Sequence, residues 1–383
     1  MNGDRSSEHD TALDLSRRKR ATSVSPLGSR VDAFRDRDGA FARLSKHPLA
    51  RAGGLLLVGI ISCALCADAL ASELPVICRW HGSLYILPCA THPASLRGED
   101  IGSLRASEAS GDWLFAPVVE HGPDKPDPSG ATASPPGTSG HPLGTDAFGR
   151  DIFARIVHGA RTTLAAGAGA TAVLVILGVT FGALAAGVGG IVDSIVARAI
   201  EALAAIPSVV LAVVVSALAP GSSSTTLFWA LALTRWTELA RVVRAEVISG
   251  NVADDVLSAR ALGASPARVF FSHVLPRTIG PALVAAALSV AYFVGIEAAV
   301  DFLLGGSIVV PPSWGEMMGE ARARPDAWWL IAFPAGCTLF VLIALHWIGA
   351  AVRSVLDPRL RPQRSEQMTH ELTRSLSSRH MDG

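Results

Sequence analysis

The sequence predicts an all-α integral membrane protein with six transmembrane helices, and three observations support this fold class. Half of the 383 residues are hydrophobic and only 17% are charged, whereas charged residues make up about a quarter of an ordinary soluble domain. Aromatic residues account for only 6%, so the apolar excess is aliphatic and compatible with helices. Apolar stretches of about twenty residues recur along the chain, and this length crosses the hydrocarbon core of a bilayer.

The six apolar stretches define the expected spans and the topology. They lie at 49–71 and near 162–188, 191–218, 225–243, 279–304 and 328–352. An even number of spans places both termini on one side of the membrane. Arginine and lysine crowd the first tail, the polar stretch between spans four and five, and the last tail. The positive-inside rule therefore assigns these three regions to the cytoplasm.

A long polar segment, 72–145, separates the first span from the others and is expected outside the cytoplasm. It ends in PDKPDPSGATASPPGTSGHPLGTD, a linker whose composition does not pack a core. Cys78 and Cys89 lie in the earlier half, where an oxidising compartment permits a disulfide. Two free thiols are the alternative.

The motifs of several enzyme classes are absent from the chain. Only Lys19, Lys46 and Lys125 are lysines, and none follows a glycine, so the phosphate-binding loop G-x-x-x-x-G-K-[ST] is missing. There is no H-E-x-x-H, no G-x-S-x-G and no cluster of His and Cys within the spans. The net charge of zero gives no indication of a nucleic-acid partner. We assign no catalytic, cofactor-binding or metal-binding residue to this chain.

The polar stretch between spans four and five, ADDVLSARALGASPARVFFSHVLPRTIGP, predicts two short helices joined by a bend. Acidic residues at 254–255 suit the positive end of a first helix, and Gly263 can end it in the left-handed conformation. Ser265 is suited to the N-cap of a second helix and Pro266 to its first position. Pro276 is expected to end that helix. Such an element is either a passive loop or a segment that a soluble partner binds.

Within this stretch, ARALGASPARVFFSHVLP resembles the cytoplasmic EAA loop of binding-protein-dependent ABC transporter permeases. Gly263 and Leu275–Pro276 match the family pattern with its spacing, and Ala259 matches the second alanine. Leu257 and Ser258 replace the glutamate and the first alanine. The resemblance therefore implies apolar packing, rather than a charge pair, at Leu257.

The resemblance implies that the loop 251–277 couples this chain to an ATPase, with a coupling helix that sits in a cleft on that partner. The residues assigned to the coupling role are Asp255, Leu257, Ser258, Ala259, Arg260, Gly263, Ala264, Ser265, Pro266, Leu275 and Pro276.

Four further motifs occur in the order of the dipeptide/oligopeptide/nickel subfamily. They are HPLGTDAFGRDIFARIVHGARTTL, IPSVVL, PPSWGEMM and LDPRLRP, and with the loop they cover about 142–362. The likeness is to the C-type permease subunit, which implies a type I ABC importer permease fold. It also implies a second permease in a heterodimer, two cytoplasmic ATPase subunits that use ATP and Mg, and an extracytoplasmic solute-binding protein. The solute stays open between dipeptides, oligopeptides, nickel and other small molecules.

Two pairs of charged residues lie within the predicted spans and are candidates for pore or structural roles. Arg198 and Glu201 are spaced i,i+3 and can form an ion pair, which is interpreted as a lock between helices. Glu297 and Asp301 are spaced i,i+4, so their like charges repel. They either line a pore or form a buried helix–helix hydrogen bond. An ion-coupled secondary transporter or channel that uses these two carboxyls is the alternative function.

The sequence accordingly predicts a multi-pass protein of the bacterial inner membrane with both termini in the cytoplasm. The expected parts are an N-terminal tail (1–48), span one (49–71), the extracytoplasmic segment and linker (72–145), the permease domain (146–360) and a C-terminal tail (361–383).

Overall fold

Helices form most of the protein, as the hydropathy pattern predicts. The computed structural model describes residues 37–106, 112–128, 130, 132–138, 140–218, 224–304 and 312–356. The rest of the N-terminal tail, residues 357–362 of the LDPRLRP motif and the tail 361–383 lie outside the described residues. The helices before the permease domain are α1 (Arg37–Lys46), α2 (Pro48–Leu65), α3 (Ala67–Leu70), α4 (Pro88–Thr91) and α5 (Ile101–Ala106). Those that follow are α6 (Ile152–Val188), α7 (Gly190–Ala204), α8 (Ser208–Leu218), α9 (Ser224–Asn251), α10 (Asp254–Ala261), α11 (Pro266–Val269), α12 (Leu275–Leu304), α13 (Trp314–Glu320) and α14 (Trp329–Leu356).

Four helical stretches within the described residues are long and apolar enough to cross a membrane. They are Pro48–Leu65, Ile152–Val188, Pro266–Leu303 and Trp329–Val355, with mean hydropathies from 1.8 to 2.2. The stretch expected as span three consists of two shorter helices, α7 and α8, of 15 and 11 residues. Pro207 lies between them and accounts for the break, because proline removes a backbone donor and clashes with the preceding turn. The helix α9, expected as span four, is long enough but carries Arg235, Glu238, Arg241, Arg244 and Glu246.

Glycines allow α6 and α9 to pack closely, and among the described residues this pair of helices forms the most extensive contact. A Cβ on Gly178 would lie 2.7 Å from Leu239 Cβ, and one on Gly182 would lie 2.5 Å from the Ala240 carbonyl oxygen. These two glycines of α6 therefore form part of a packing surface for α9. Gly189 differs, because its φ of 72° serves the turn into α7.

Two apolar cores hold the long helices together. One lies between α6, α9 and α12, around Leu174, Leu239 and Phe293. The other lies between α2, the first turns of α6, and α12 to α14, around Trp314 and Val341. Every long helix contacts one of these cores, so burial of apolar area fixes their relative positions.

The segment after span one contains a small three-stranded antiparallel sheet. Its strands are β1 (Ile77–Trp80), β2 (Ser83–Ile86) and β3 (Trp113–Phe115), in the order β2-β1-β3. One face covers a cluster with Cys78, Cys89 and Leu96. Both cysteines are buried free thiols, so the structure holds the second of the two alternatives for this pair. Burial raises the pKa of each thiol above its ordinary value.

Candidate functional site: a coupling loop and a membrane cavity

The loop 251–277 folds as two short helices joined by a bend, as its cap residues predict. Gly263 has a φ of 83° and lies in the bend, where a residue with a Cβ would be strained. The Ser265 side chain accepts a hydrogen bond from the Arg268 backbone N–H, and Pro266 is the first residue of α11. The acidic residues Asp254 and Asp255 occupy the first turn of α10. Local capping chemistry therefore determines this element.

The predicted stop at Pro276 is wrong, because the chain continues helically into α12. Between α11 and α12, residues Phe270–Val274 form a turn of π-helix, and the Leu275 N–H bonds the Phe270 carbonyl. A π turn widens the helix and shifts the hydrogen-bond register, so Pro276 is accommodated near the start of α12. The second half of the loop and α12 consequently form one continuous helical stretch, Pro266–Leu303.

The loop is anchored on one side and exposed on the other. Val256 and Val269 are almost fully buried in the core of α6, α9 and α12. Leu262 is 89% exposed, Phe271 66% and Leu257 49%. The side of the loop that faces away from the core therefore presents apolar side chains.

One ion pair and one hydrogen bond attach the first helix of the loop to the neighbouring helices α12 and α9. Arg277 Nη2 donates to Asp255 Oδ1 at 2.5 Å, and Arg260 Nη2 donates to Asn251 Oδ1 at 3.0 Å. The predicted coupling residues on both sides of the bend are thus joined through Asp255 and Arg277. The remaining loop residues, Ser258, Ala259 and Ala264, belong to α10 or the bend, and Ser258 Oγ donates to the Asp254 carbonyl at 2.7 Å.

Arg198 and Glu201 form the predicted pair, with Arg198 Nη1 3.1 Å from Glu201 Oε2. Their side chains are 84% and 65% exposed, and both lie on α7. Their ion pair lies within one helix, so the lock between helices stays a prediction. An exposed pair of this kind contributes little to stability.

Glu297 and Asp301 converge on one glycine of α13. A Cβ added to Gly315 would lie 2.9 Å from the Glu297 carboxyl carbon and 2.9 Å from Asp301 Oδ2, so the two carboxyl groups are less than twice that distance apart. Glu297 is fully buried. The pair lies beneath α13, where only a glycine leaves room for both carboxyls.

A buried ionic network joins the segment before α6 to α13. Arg150 Nε lies 2.6 Å from Asp146 Oδ2, and Arg150 Nη2 lies 2.6 Å from Glu320 Oε1. Arg155 Nη2 lies 3.3 Å from Glu320 Oε1 and 3.5 Å from Glu316 Oε1. Burial works against the charge, yet Asp146 and Glu320 raise the pKa of the Arg150 guanidinium above its ordinary value. This network gives a physical role to the GTDAFGRDIFAR stretch, which sequence reasoning treated only as a motif.

Tryptophans fix the same junction. Trp314 Nε1 donates to the Ile156 carbonyl at 3.0 Å, and Trp329 Nε1 donates to the Thr145 carbonyl at 3.2 Å. Both side chains are buried, whereas Trp328 is 59% exposed. The indoles of Trp314 and Trp329 therefore bind backbone within the protein.

A cavity of about 580 Å³ lies between α6, α9, α12 and α14. Most of its wall is aliphatic, and five of its lining residues have polar side chains: Arg235, Glu238, Ser289, Tyr292 and His346. The guanidinium of Arg235 lies over the Tyr292 ring, 3.6 Å from the centroid, and pairs with Glu238 through Nη2. None of the four charged residues predicted within the spans lines this cavity.

Sequence reasoning missed Arg235 and Glu238, although a signal was present. The stretch LTRWTEL carries two opposite charges at i,i+3 inside an apolar helix, the spacing that led to the selection of Arg198 and Glu201. Only the tertiary structure separates the two pairs, because one faces a cavity between helices and the other is exposed on a single helix.

Comparison with known proteins identifies the family of the chain. A family model described as binding-protein-dependent transport system inner membrane component matches residues 178–362. The chain is 33% identical over 250 residues to the dipeptide transport system permease protein DppC of Alkalihalophilus pseudofirmus, covering 65% of this chain and 81% of the relative. The chain belongs to this family of inner membrane permeases. The permease match includes α7 to α14, and hence the loop 251–277 and most of the cavity wall.

Other relatives of the permease are of similar length and identity. A putative peptide transport system permease protein of Brucella suis is 35% identical over 249 residues, covering 65% of this chain and 83% of the relative. The oligopeptide transport system permease protein OppC of Bacillus subtilis is 32% identical over 230 residues, covering 60% and 75%. Among solved structures, an amino acid ABC transporter with histidines matches with a TM-score of 0.41 and 17% identity, over 54% of this chain and 94% of that chain.

Proposed function

We propose that this permease is one membrane subunit of an ATP-driven ABC importer for di- or oligopeptides. The names of its relatives, which are dipeptide, peptide and oligopeptide transport permeases at 32–35% identity, support this class of solute. ATP and Mg are used by two cytoplasmic ATPase subunits, and this chain binds neither. A second permease completes the pore, and an extracytoplasmic binding protein delivers the solute.

The exposed tip of the loop 251–277 is the observation that supports coupling. Its buried valines hold α10 and α11 against the core, while Leu257, Leu262 and Phe271 are left exposed. The continuous helical path from α11 into α12 gives a rigid connection. Movement of an ATPase subunit that binds these side chains would therefore be transmitted directly to span five.

The proposed topology has six spans in the bacterial inner membrane. The helices α7 and α8 together form span three and α9 forms span four, whose charged side chains are tolerated where they pair or face a cavity. The tails 1–48 and 361–383 and the coupling loop lie in the cytoplasm. The segment 72–145 lies outside it, and 146–360 is the permease domain.

Substitution of Leu262 tests the coupling role. We expect Leu262→Asp to remove copurification of the ATPase subunits and to abolish ATP-dependent uptake of dialanine in reconstituted vesicles. The side chain is 89% exposed, so the charge should leave folding and insertion unchanged. Leu84→Asp, at a 59% exposed leucine of β2, is the matched control and should copurify normally.

Two further variants act on the same loop. Gly263→Trp strains a residue with φ 83°, and Arg260→Glu places a carboxylate beside Asn251 Oδ1. Both should abolish uptake while the protein remains inserted. Normal copurification of the ATPase with Leu262→Asp and normal uptake by all three variants would contradict the proposal.

The alternative, an ion-coupled transporter or channel that uses Glu297 and Asp301, makes a different prediction. Uptake that persists after the ATPase subunits are catalytically inactivated would favour it. Loss of uptake under that condition, with retained uptake in an Asp301→Asn variant, would exclude it.

A further inference from the structure

We propose that the cavity between α6, α9, α12 and α14 is a binding site on the translocation path for a zwitterionic solute, with Arg235 holding its carboxylate and Glu238 its ammonium group. This inference rests on the proposed function and names residues that would hold the solute inside the membrane. Arg235 lies in the twelfth position of the 28-residue helix α9, and ionisable residues within a span are costly unless they serve a site or a partner.

The surroundings of Arg235 leave much of its binding capacity unused. A guanidinium has five N–H donors, and within the described residues the Arg235 side chain makes one side-chain hydrogen bond, from Nη2 to Glu238. Its buried Nε has no hydrogen-bond partner among those residues. Its flat face rests on the Tyr292 ring at 3.6 Å, which holds the plane of the guanidinium in place. A planar fork held in this way suits bidentate binding of a carboxylate.

The cavity fits a small organic solute in size and in composition. Its volume of about 580 Å³ lies in the range of about 300–1,000 Å³ that is typical of small-molecule sites. Aliphatic residues form most of the wall, with a few polar groups including Ser289 and His346. Such a wall accepts varied apolar side chains, while the polar groups fix the two ends of the solute.

The existing ion pair explains why a zwitterion is favoured over a simple anion. Glu238 is 49% exposed and Arg235 is 18% exposed, so the pair is accessible at Glu238. A carboxylate that binds Arg235 alone would leave Glu238 without its counter-charge. A solute with both groups can place its carboxylate on Arg235 and its ammonium group on Glu238, so that each charge of the pair keeps an opposite partner.

Protection of a cysteine in the cavity wall tests the site without the binding protein. Ser289→Cys is introduced into an otherwise cysteine-free permease, purified with its partner subunits and shown to import dialanine, and its modification by an anionic methanethiosulfonate reagent is followed. Dialanine should slow the modification, and dialanine amide, which lacks the carboxylate, should require about a tenfold higher concentration. N-acetyl-dialanine, which lacks the ammonium group, should be weakened similarly.

The variants assign these differences to single groups. Arg235→Gln should remove the preference for dialanine over its amide, and Glu238→Gln should remove the preference over N-acetyl-dialanine. Arg235→Lys keeps a cation and should retain part of the preference, which keeps the test informative if the glutamine variant fails to assemble. The matched control is Arg198→Gln, in an i,i+3 pair outside the cavity, and it should behave like the parent protein.

Three outcomes would overturn the site. They are no modification of Cys at position 289, equal protection by dialanine and its amide in the parent, and equal behaviour of Arg235→Gln and Arg198→Gln. Continued dialanine uptake alongside any of these refutes the site and leaves the peptide importer intact. Absence of dialanine uptake by the parent complex refutes the proposed function instead, whatever the labelling shows.

Discussion

Arg155 Nη2 lies 3.3 Å from Glu320 Oε1, and this contact joins the first turn of α6 to the last residue of α13. The two side chains are only 1% and 8% exposed. The same Glu320 oxygen accepts a hydrogen bond from Arg150, so one carboxylate ties together two arginines that are far from it in sequence. The short helix α13 is therefore held by charge as well as by the burial of Trp314.

Loss of Arg155 should release α13. Arg155→Met leaves buried carboxylates without one of their cations, and breaking a buried ion pair costs about 3–5 kcal/mol. We expect a corresponding loss in the free energy of unfolding in detergent, and faster tryptic cleavage at the exposed Arg322 just after α13. Arg105→Met removes an exposed pair with Glu120 and should change stability by less than about 1 kcal/mol. Equal stability of the two variants would show that the network does not hold α13.

Two glycines of α6 should respond oppositely to the same substitution. A Cβ at position 182 would lie 2.5 Å from the Ala240 carbonyl oxygen, whereas at position 169 there is open space. Gly182→Ala should therefore destabilise the protein by about 1–3 kcal/mol through overpacking. Gly169→Ala should stabilise it by about 0.5–1 kcal/mol, because alanine loses less backbone entropy in a helix. Apparent unfolding temperatures of the two variants in one detergent check this, and a shift of the same sign in both would be inconsistent with it.

The thiols of Cys78 and Cys89 should be unreactive in the folded protein. Burial raises the pKa of each thiol, so the reactive thiolate fraction at pH 7 lies below that of a free cysteine. Maleimide should label them only after denaturation, and it should do so without a reductant because they are free. Ser83→Cys, on exposed β2, is the positive control and should label in the native state. Labelling after denaturation that requires a reductant would indicate a disulfide.

The folded conformation of the loop before α6 should become less stable as the pH falls. Burial and the adjacent His141, stacked at 4.2 Å, lower the pKa of His121 below its usual 6.5, although Asp151, Asp127 and Glu120 oppose the shift. The unfolded state therefore binds more protons between the folded pKa and 6.5, so the stability present above pH 6.5 is lost as the pH falls through that window.

Hydrogen exchange of the backbone around residues 121–151, compared at pH 7.5 and pH 5, measures this effect. His121→Asn should reduce the difference in protection between the two values of pH. His92→Asn, at an exposed histidine outside this contact, should leave the difference unchanged. An undiminished difference in His121→Asn would assign the pH dependence to other groups.

Much of the fold follows from local patterns in the chain. The apolar stretches around spans one, two, five and six correspond to helices long enough to cross a membrane, because length and hydropathy are properties of one segment. The bend at Gly263 and the cap at Ser265 were predicted because capping involves neighbouring residues. The continuation through Pro276 was not, because the π turn that accommodates the proline leaves no clear signal in the sequence.

The sequence by itself determined the helical class, the family likeness and the two-helix loop, since periodicity, caps and motif spacing are encoded within short windows. Only the tertiary structure determined which charged side chains pair with each other and which helices they join. It brings Arg150 and Arg155 to Glu320 across more than 160 residues and places Glu297 and Asp301 beneath Gly315. It also turns Arg235 and Glu238 towards a cavity, while the identically spaced Arg198 and Glu201 stay exposed. The physical reason is that burial and charge pairing depend on which helices meet, which no single segment specifies.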